Sequence, residues 1–201
     1  MKIYLTRHGQ TTWNKQNRVQ GHLDSKLTVD GIKMCEKLRE DSRTVKFDKC
    51  YSSDLPRAVE SAKIITGNDE IITTKLLREI DLGDWNGMYF PDIEVKYPRE
   101  YYNYFNNPRE FRKNSGETLI DIQNRVEKFI DEFIKSGKEE NILIVTHGIT
   151  IIAFFNIIEN IPIENFWTNK VIRNAKFNII EYKDKKFEII YKAPKNKFVN
   201  I

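Results

Sequence analysis

The segment Asn141–Thr146, NILIVT, is a continuous apolar run that ends at the polar step His147-Gly148. A short run without polar alternation suits a strand buried on both faces. Such a strand needs helices above and below its sheet, so this segment argues for an α/β architecture. The rest of the chain alternates short apolar runs with longer periodic segments. Ile3–Thr6 reads as a strand that opens into a polar loop. Leu27–Glu40 reads as a helix with Thr28 as N-cap, Phe47–Ser52 as a strand, and Asp54–Thr66 as a helix with Pro56 near its start and Gly67 as its stop. Ile71–Thr74 reads as a third strand. Glu117–Lys135 has the spacing of a long amphipathic helix through Leu119, Ile122, Val126, Phe129, Ile130 and Phe133. Gly148–Ile158 is the helix after the apolar strand. Phe177–Tyr182 and Phe187–Tyr191 form a closing hairpin across Lys183–Lys186.

The 201 residues suffice for one domain with a substantial core, and 1–201 is read as a single domain. The formal net charge of +4 is too small to argue for nucleic acid, yet it suits a small anionic substrate. Cys35 and Cys50 belong to no C-x-x-C pair and lie near no His at metal-ligand spacing, so both read as buried thiols. The apolar start, Met1 to Thr6, is too short for a signal peptide, and no stretch is long enough to cross a bilayer. A cytoplasmic protein without membrane attachment is expected.

Two of the three histidines share a setting. His8 follows a strand in Leu5-Thr6-Arg7-His8-Gly9, and His147 follows the strongest strand in Val145-Thr146-His147-Gly148. The carboxyl ends of strands are where sites form in open α/β sheets. A Gly after each His lets the backbone turn sharply and approach a ligand closely. Two such histidines are hard to attribute to packing.

Longer blocks surround them. These are Arg7-His8-Gly9-Gln10-Thr11-Thr12-Trp13-Asn14, Gln20-Gly21-His22-Leu23-Asp24-Ser25-Lys26-Leu27-Thr28, Ser52-Ser53-Asp54-Leu55-Pro56-Arg57-Ala58, Leu77-Arg78-Glu79-Ile80-Asp81-Leu82-Gly83-Asp84-Trp85-Asn86-Gly87, Ser115-Gly116-Glu117 and Val145-Thr146-His147-Gly148. Together and in this order they resemble the histidine phosphatase superfamily, also called phosphoglycerate mutase-like. The resemblance implies a three-layer α/β/α sandwich on a mostly parallel sheet, with a helical cap region inserted at about 85–116. It implies a phosphohistidine on His8, with Arg7, Arg57, Asn14 and His147 around one phosphoryl pocket and Gly148 beside it. Gln20 and Gly21 are placed at the phosphate entrance, while His22 is a weaker candidate. Asn86 stands where the family has Glu and Ser61 where Thr is common; neither position needs to do chemistry.

These residue types suit phosphoryl transfer, which is mostly positioning and charge stabilisation. Arginines grip phosphate oxygens in bidentate fashion. Their charge should push the His8 pKa down, and a fixed acceptor on its other nitrogen should set the tautomer. No metal or cofactor is required. The candidate proton carriers are Glu79, Asp81 and Asp84; the resemblance points to Glu79, while Asp81 and Asp84 themselves read as turn residues around Gly83.

Between Trp85 and Gly116 the chain is rich in Tyr and Phe, with Tyr101, Tyr104 and Phe105 at helical spacing. Most of these aromatics are expected to pack the cap. Arg99, Arg109, Arg112 and Lys113 can meet a second anionic group, although solvated charge is the default. The expected function is hydrolysis of a small phosphorylated metabolite, nearest the α-ribazole and broad-specificity phosphatase branches, by a monomer or homodimer. Phosphoglycerate mutase-type transfer and fructose-2,6-bisphosphatase-like activity are the alternatives. A catalytically dead binding module would lack a pocket His, Arg or Glu, and all are present.

Overall fold

The computed structural model describes residues 1–112, 115–172 and 174–194. In chain order its elements are β1 (Lys2–Arg7), α1 (Thr12–Lys15), α2 (Val29–Asp41), β2 (Lys49–Ser53), α3 (Pro56–Thr66), β3 (Ile72–Thr74), α4 (Phe90–Lys96), α5 (Pro98–Asn106), α6 (Leu119–Phe129), β4 (Asn141–Thr146), α7 (Gly148–Ile158), β5 (Phe177–Lys183) and β6 (Lys186–Tyr191). One sheet runs in the order β3-β2-β4-β1-β5-β6. The β1–β4, β2–β4 and β2–β3 pairs are parallel, and β5 pairs antiparallel with β1 and β6. The most apolar strand, β4, lies between β2 and β1, where both its faces are covered.

Side chains alternate across the sheet. Ile3, Leu5, Ile142 and Ile144 join a core built with Leu119, Ile122, Val126 and Phe129 of α6 and Ile152 of α7. Leu143, Val145 and Cys50 face the other side, against Cys35 and Leu38 of α2 and Ala58, Ala62 and Ile65 of α3. The result is a three-layer α/β/α sandwich. Both cysteines are buried free thiols in the second layer. Truncating Ile144, which has no exposed surface, costs about 2–5 kcal/mol by the usual cavity effect.

Element ends moved where local chemistry overrode the apolar pattern. The second helix begins at Val29 because the Thr28 hydroxyl accepts the Gly31 N–H at 2.9 Å. The long helix begins at Leu119, behind a capping box between Thr118 and Asp121, and ends in a π-helical turn, Ile130–Ile134. The hairpin turn is only Asp184-Lys185, with φ of 51° and 62°, the left-handed pair that a two-residue β-turn needs. Among the described residues, no helix is long and apolar enough to cross a membrane.

The aromatic region is a small core of its own. Pro98 starts α5 where its missing N–H costs nothing. Trp85 is buried, with ring centroids 5.5 Å from both Tyr104 and Phe111. Trp167 Nε1–H donates to the Tyr104 carbonyl, joining this core to the segment after α7.

Candidate active site

Parallel pairing of β1 with β4 sets Arg7 beside Thr146. The next residues, His8 and His147, therefore leave the sheet side by side at its carboxyl edge. The His8 N–H donates to Thr146 O at 2.9 Å, and the two imidazole centroids lie 5.2 Å apart.

His8 is buried, and its Nδ1 lies 2.7 Å from the Gly9 carbonyl. A carbonyl only accepts, so Nδ1 carries the proton and Nε2 keeps its lone pair. Burial, then Arg57, then Arg7, push the His8 pKa well below the ordinary imidazole value. The sequence reasoning named the arginines; burial is the larger cause. His147 is lowered in the same way, by burial, Arg57, His8 and Arg7.

The role expected for Gly9 changes. A Cβ there would lie 2.6 Å from Gly31 O and 2.9 Å from Cys35 Sγ. The glycine lets the His8 loop touch α2 rather than a ligand. Gly148 starts α7, and a Cβ on it would come no closer than 3.2 Å to Val171 Cγ1.

Arg57 is 1% exposed and tightly held. Its Nη1 donates to Leu23 O at 2.7 Å and Asp24 Oδ1 at 2.9 Å, and its Nη2 to Gly21 O at 2.8 Å. The end of the fork is thus taken by the Gln20–Thr28 loop, and the Nε edge is left for a ligand. Arg7 Nη1 reaches Ile172 O at 3.4 Å. Burial pushes the Arg7 pKa down to about 10, with Glu79 pulling it up and Arg57 adding to the drop. Among the described residues, buried side-chain nitrogens without a partner occur only at Arg7 Nε, Arg57 Nε and both ring nitrogens of His147. Buried donors are ordinarily satisfied, so this cluster is built to receive an acceptor.

Glu79 lies at the N-terminus of α7. Its Oε1 accepts the N–H groups of Ile80 and Ile149 at 3.1 Å and of Thr150 at 3.3 Å. Its carbonyl is clamped by His22 Nε2 at 2.9 Å and Arg125 Nη2 at 3.3 Å. Arg125 also donates to Leu76 O and Arg78 O and makes a bidentate pair with Glu117. His22 therefore supports Glu79 from behind. Asp81 accepts Gly83 N–H at 2.9 Å and the Asn86 amide at 2.7 Å, while Asp84 accepts the Ser115 hydroxyl. The aspartates are turn residues, as expected.

Asn14 ends a capping box with Thr11, its Oδ1 accepting Thr11 N–H at 3.1 Å. That leaves its amide nitrogen to donate. Gln20 is buried and accepts the Ser25 hydroxyl. Gly21 has φ of 50°, and a Cβ on it would lie 1.9 Å from Asn86 Oδ1, so the Gln20–Thr28 loop packs on the Glu79 block at that glycine. Ser61 Oγ accepts Gly9 N–H at 2.9 Å and donates to Arg57 O at 2.7 Å, tying the His8 loop to α3. The cap cations fare differently. Arg109 pairs with Glu164, Arg112 donates to the Arg109 and Phe111 carbonyls, and Arg99 is exposed; Lys113 lies outside the described residues. Sequence reasoning missed Asn174, Arg125 and Thr150, which act across long sequence separations with no local motif.

Among the described residues, no group of three or more His, Cys, Asp or Glu side chains is placed to hold a metal ion. Two imidazoles and two arginines at the carboxyl edge of an α/β sheet, with a carboxylate beside them, define an enzyme of phosphoryl transfer. The chain belongs to the histidine phosphatase superfamily, branch 1, whose model matches residues 3–193. It is 30% identical over 196 residues to the metal-independent phosphoserine phosphatase of Arabidopsis thaliana, covering 94% of this chain and 79% of that protein. The structure of Bacillus stearothermophilus YhfR superposes with a TM-score of 0.90 at 29% identity, covering 97% of this chain and 98% of that one. The α-ribazole phosphatase of Shigella flexneri does so at 0.86 and 25% identity, covering 95% of each.

Proposed function

We propose that this chain is a phosphatase that hydrolyses a small phosphate monoester through a phosphohistidine on His8. The observation that carries the reading is the cluster of partnerless donors on Arg7, Arg57 and His147 around a neutral, oriented imidazole. These groups, with the Asn14 amide, hold the phosphoryl oxygens; Gln20, Gly21 and Gly148 shape the wall. His8 Nε2 attacks phosphorus as the ester P–O bond breaks. Glu79 gives its proton to the leaving oxygen. Water then attacks, Glu79 takes a proton from it, and the P–N bond breaks to release inorganic phosphate. Glu79 Oε1 accepts the Ile80, Ile149 and Thr150 N–H groups, whereas Oε2 accepts, among the described residues, only Ile149 N–H at 3.2 Å, so Oε2 is the less engaged oxygen and the one that exchanges the proton. General acid–base help of this kind is worth about 10²–10⁴-fold.

The whole chain acts as one catalytic unit, with residues 85–116 as cap. It takes a small metabolite rather than nucleic acid or a membrane, works as a monomer or homodimer, and suits the cytoplasm, where its buried thiols stay reduced. Phosphoserine and α-ribazole phosphate are the first substrates to try, because relatives carry those names. The test is a generic aryl phosphate assay on wild type and His8→Ala. Activity lost in the variant supports the reading, and equal activity refutes it. Fast isomerisation of 3-phosphoglycerate with the bisphosphate primer, without phosphate release, would point to a mutase instead.

A further inference from the structure

Asn174 stands in the loop before β5, on no sequence block, yet it meets the site at two points. Its Nδ2 donates to the His8 carbonyl at 2.9 Å and to Asn14 Oδ1 at 3.3 Å. We propose that Asn174 is a positioning residue that sets the amide orientation of Asn14 and anchors the nucleophile's backbone with one side-chain nitrogen.

An amide side chain presents either its oxygen or its NH2 to a given point, and neighbours decide which. Asn14 has its oxygen claimed twice on one side, by the Thr11 N–H at 3.1 Å and by Asn174 Nδ2. Its own NH2 must then face the other way. A phosphoryl group has only acceptors to offer, so the flipped amide would set lone pair against lone pair. The same Asn174 nitrogen holds the carbonyl of His8, whose N–H is fixed by β4. The imidazole and the gripping amide are thereby referenced to one atom. The adjacent Ala175 N–H donates to Arg7 O at 3.0 Å, so the loop that carries Asn174 is itself tied to the end of β1.

This inference rests on the proposed roles of His8 and Asn14. The experiment compares aryl phosphate hydrolysis in wild type, Asn174→Ala, Asn174→Asp, Asn14→Ala and the Asn14→Ala/Asn174→Ala double variant, with thermal unfolding of each and His8→Ala as control. Asn174→Ala is expected to lower kcat/KM about tenfold in wild type but only about twofold in the Asn14→Ala background, since contacting residues are energetically coupled. Asn174→Asp keeps the shape but can only accept, so it draws the Asn14 NH2 away from the pocket and falls below Asn174→Ala. A packing role predicts the reverse order. Equal fold-losses in both backgrounds, or Asn174→Asp matching or exceeding Asn174→Ala, overturn the positioning role while His8→Ala remains dead. Activity surviving in His8→Ala overturns the underlying mechanism as well.

Discussion

Glu79 accepts the backbone N–H of Ile149 at 3.1 Å, so the carboxylate proposed to move the proton is also the N-terminal cap of α7. One side chain thus caps the helix and is proposed to carry the chemistry as well, and two substitutions separate the roles. Glu79→Gln keeps an acceptor oxygen for the helix but cannot exchange a proton. Its kcat should fall about 10²–10⁴-fold with little change in unfolding free energy. Glu79→Ala should lose the same activity and about 0.5–2 kcal/mol besides, the usual worth of a cap. Parallel kinetics and denaturant titration check both.

The buried histidines fix the sign of the pH dependence. His8 and His147 are held well below the ordinary value of 6.5. Below 6.5 the unfolded chain takes up protons that the native site refuses, so stability is full above that pH and falls as the pH is lowered toward the native values. The acid limb of kcat/KM should likewise lie below 6.5. Thermal scans from pH 7.5 to 5 should show a falling Tm, and His147→Gln should flatten the slope.

Ser61 should prove more than a spacer. Ser61→Ala strands the Gly9 N–H in a buried place and removes the second hydrogen bond to the Arg57 carbonyl, costing about 1–3 kcal/mol. Ser61→Thr retains the hydroxyl and should be far milder. Chemical denaturation of both variants decides.

Arg125 tests the clamp behind Glu79. Its guanidinium meets three carbonyls and both Glu117 oxygens. A lysine cannot reproduce that planar fork, so Arg125→Lys should cost about tenfold in kcat with a smaller change in KM. An unchanged kcat would remove Arg125 from the positioning of Glu79.

The sequence made β4 and α7 legible to the residue, because an unbroken apolar run leaves a strand and its following helix no alternative boundaries. His8 and His147 were legible from their places after apolar strands, and Arg57 and Glu79 from the resemblance of their blocks to the family. Asn174 and Arg125 were not. They reach backbone carbonyls far away in the chain, and no periodicity records a contact across the sheet. The cap arginines read as solvated charge by default, and the partner Glu164 of Arg109 was invisible for a related reason: nothing near Arg109 in the chain announces it. The cap splits into α4 and α5 at Pro98, which sits at the first position of α5.

The proposed mechanism turns on a covalent bond between phosphorus and His8. Acid-free quenching during turnover, followed by peptide mass spectrometry, measures it directly. A phosphohistidine mechanism predicts an acid-labile, alkali-stable phosphoryl group on the peptide bearing His8, absent in His8→Ala and accumulating in Glu79→Gln with a substrate whose leaving group needs no proton. A turning-over enzyme with no such label, or a label that persists in His8→Ala, contradicts it.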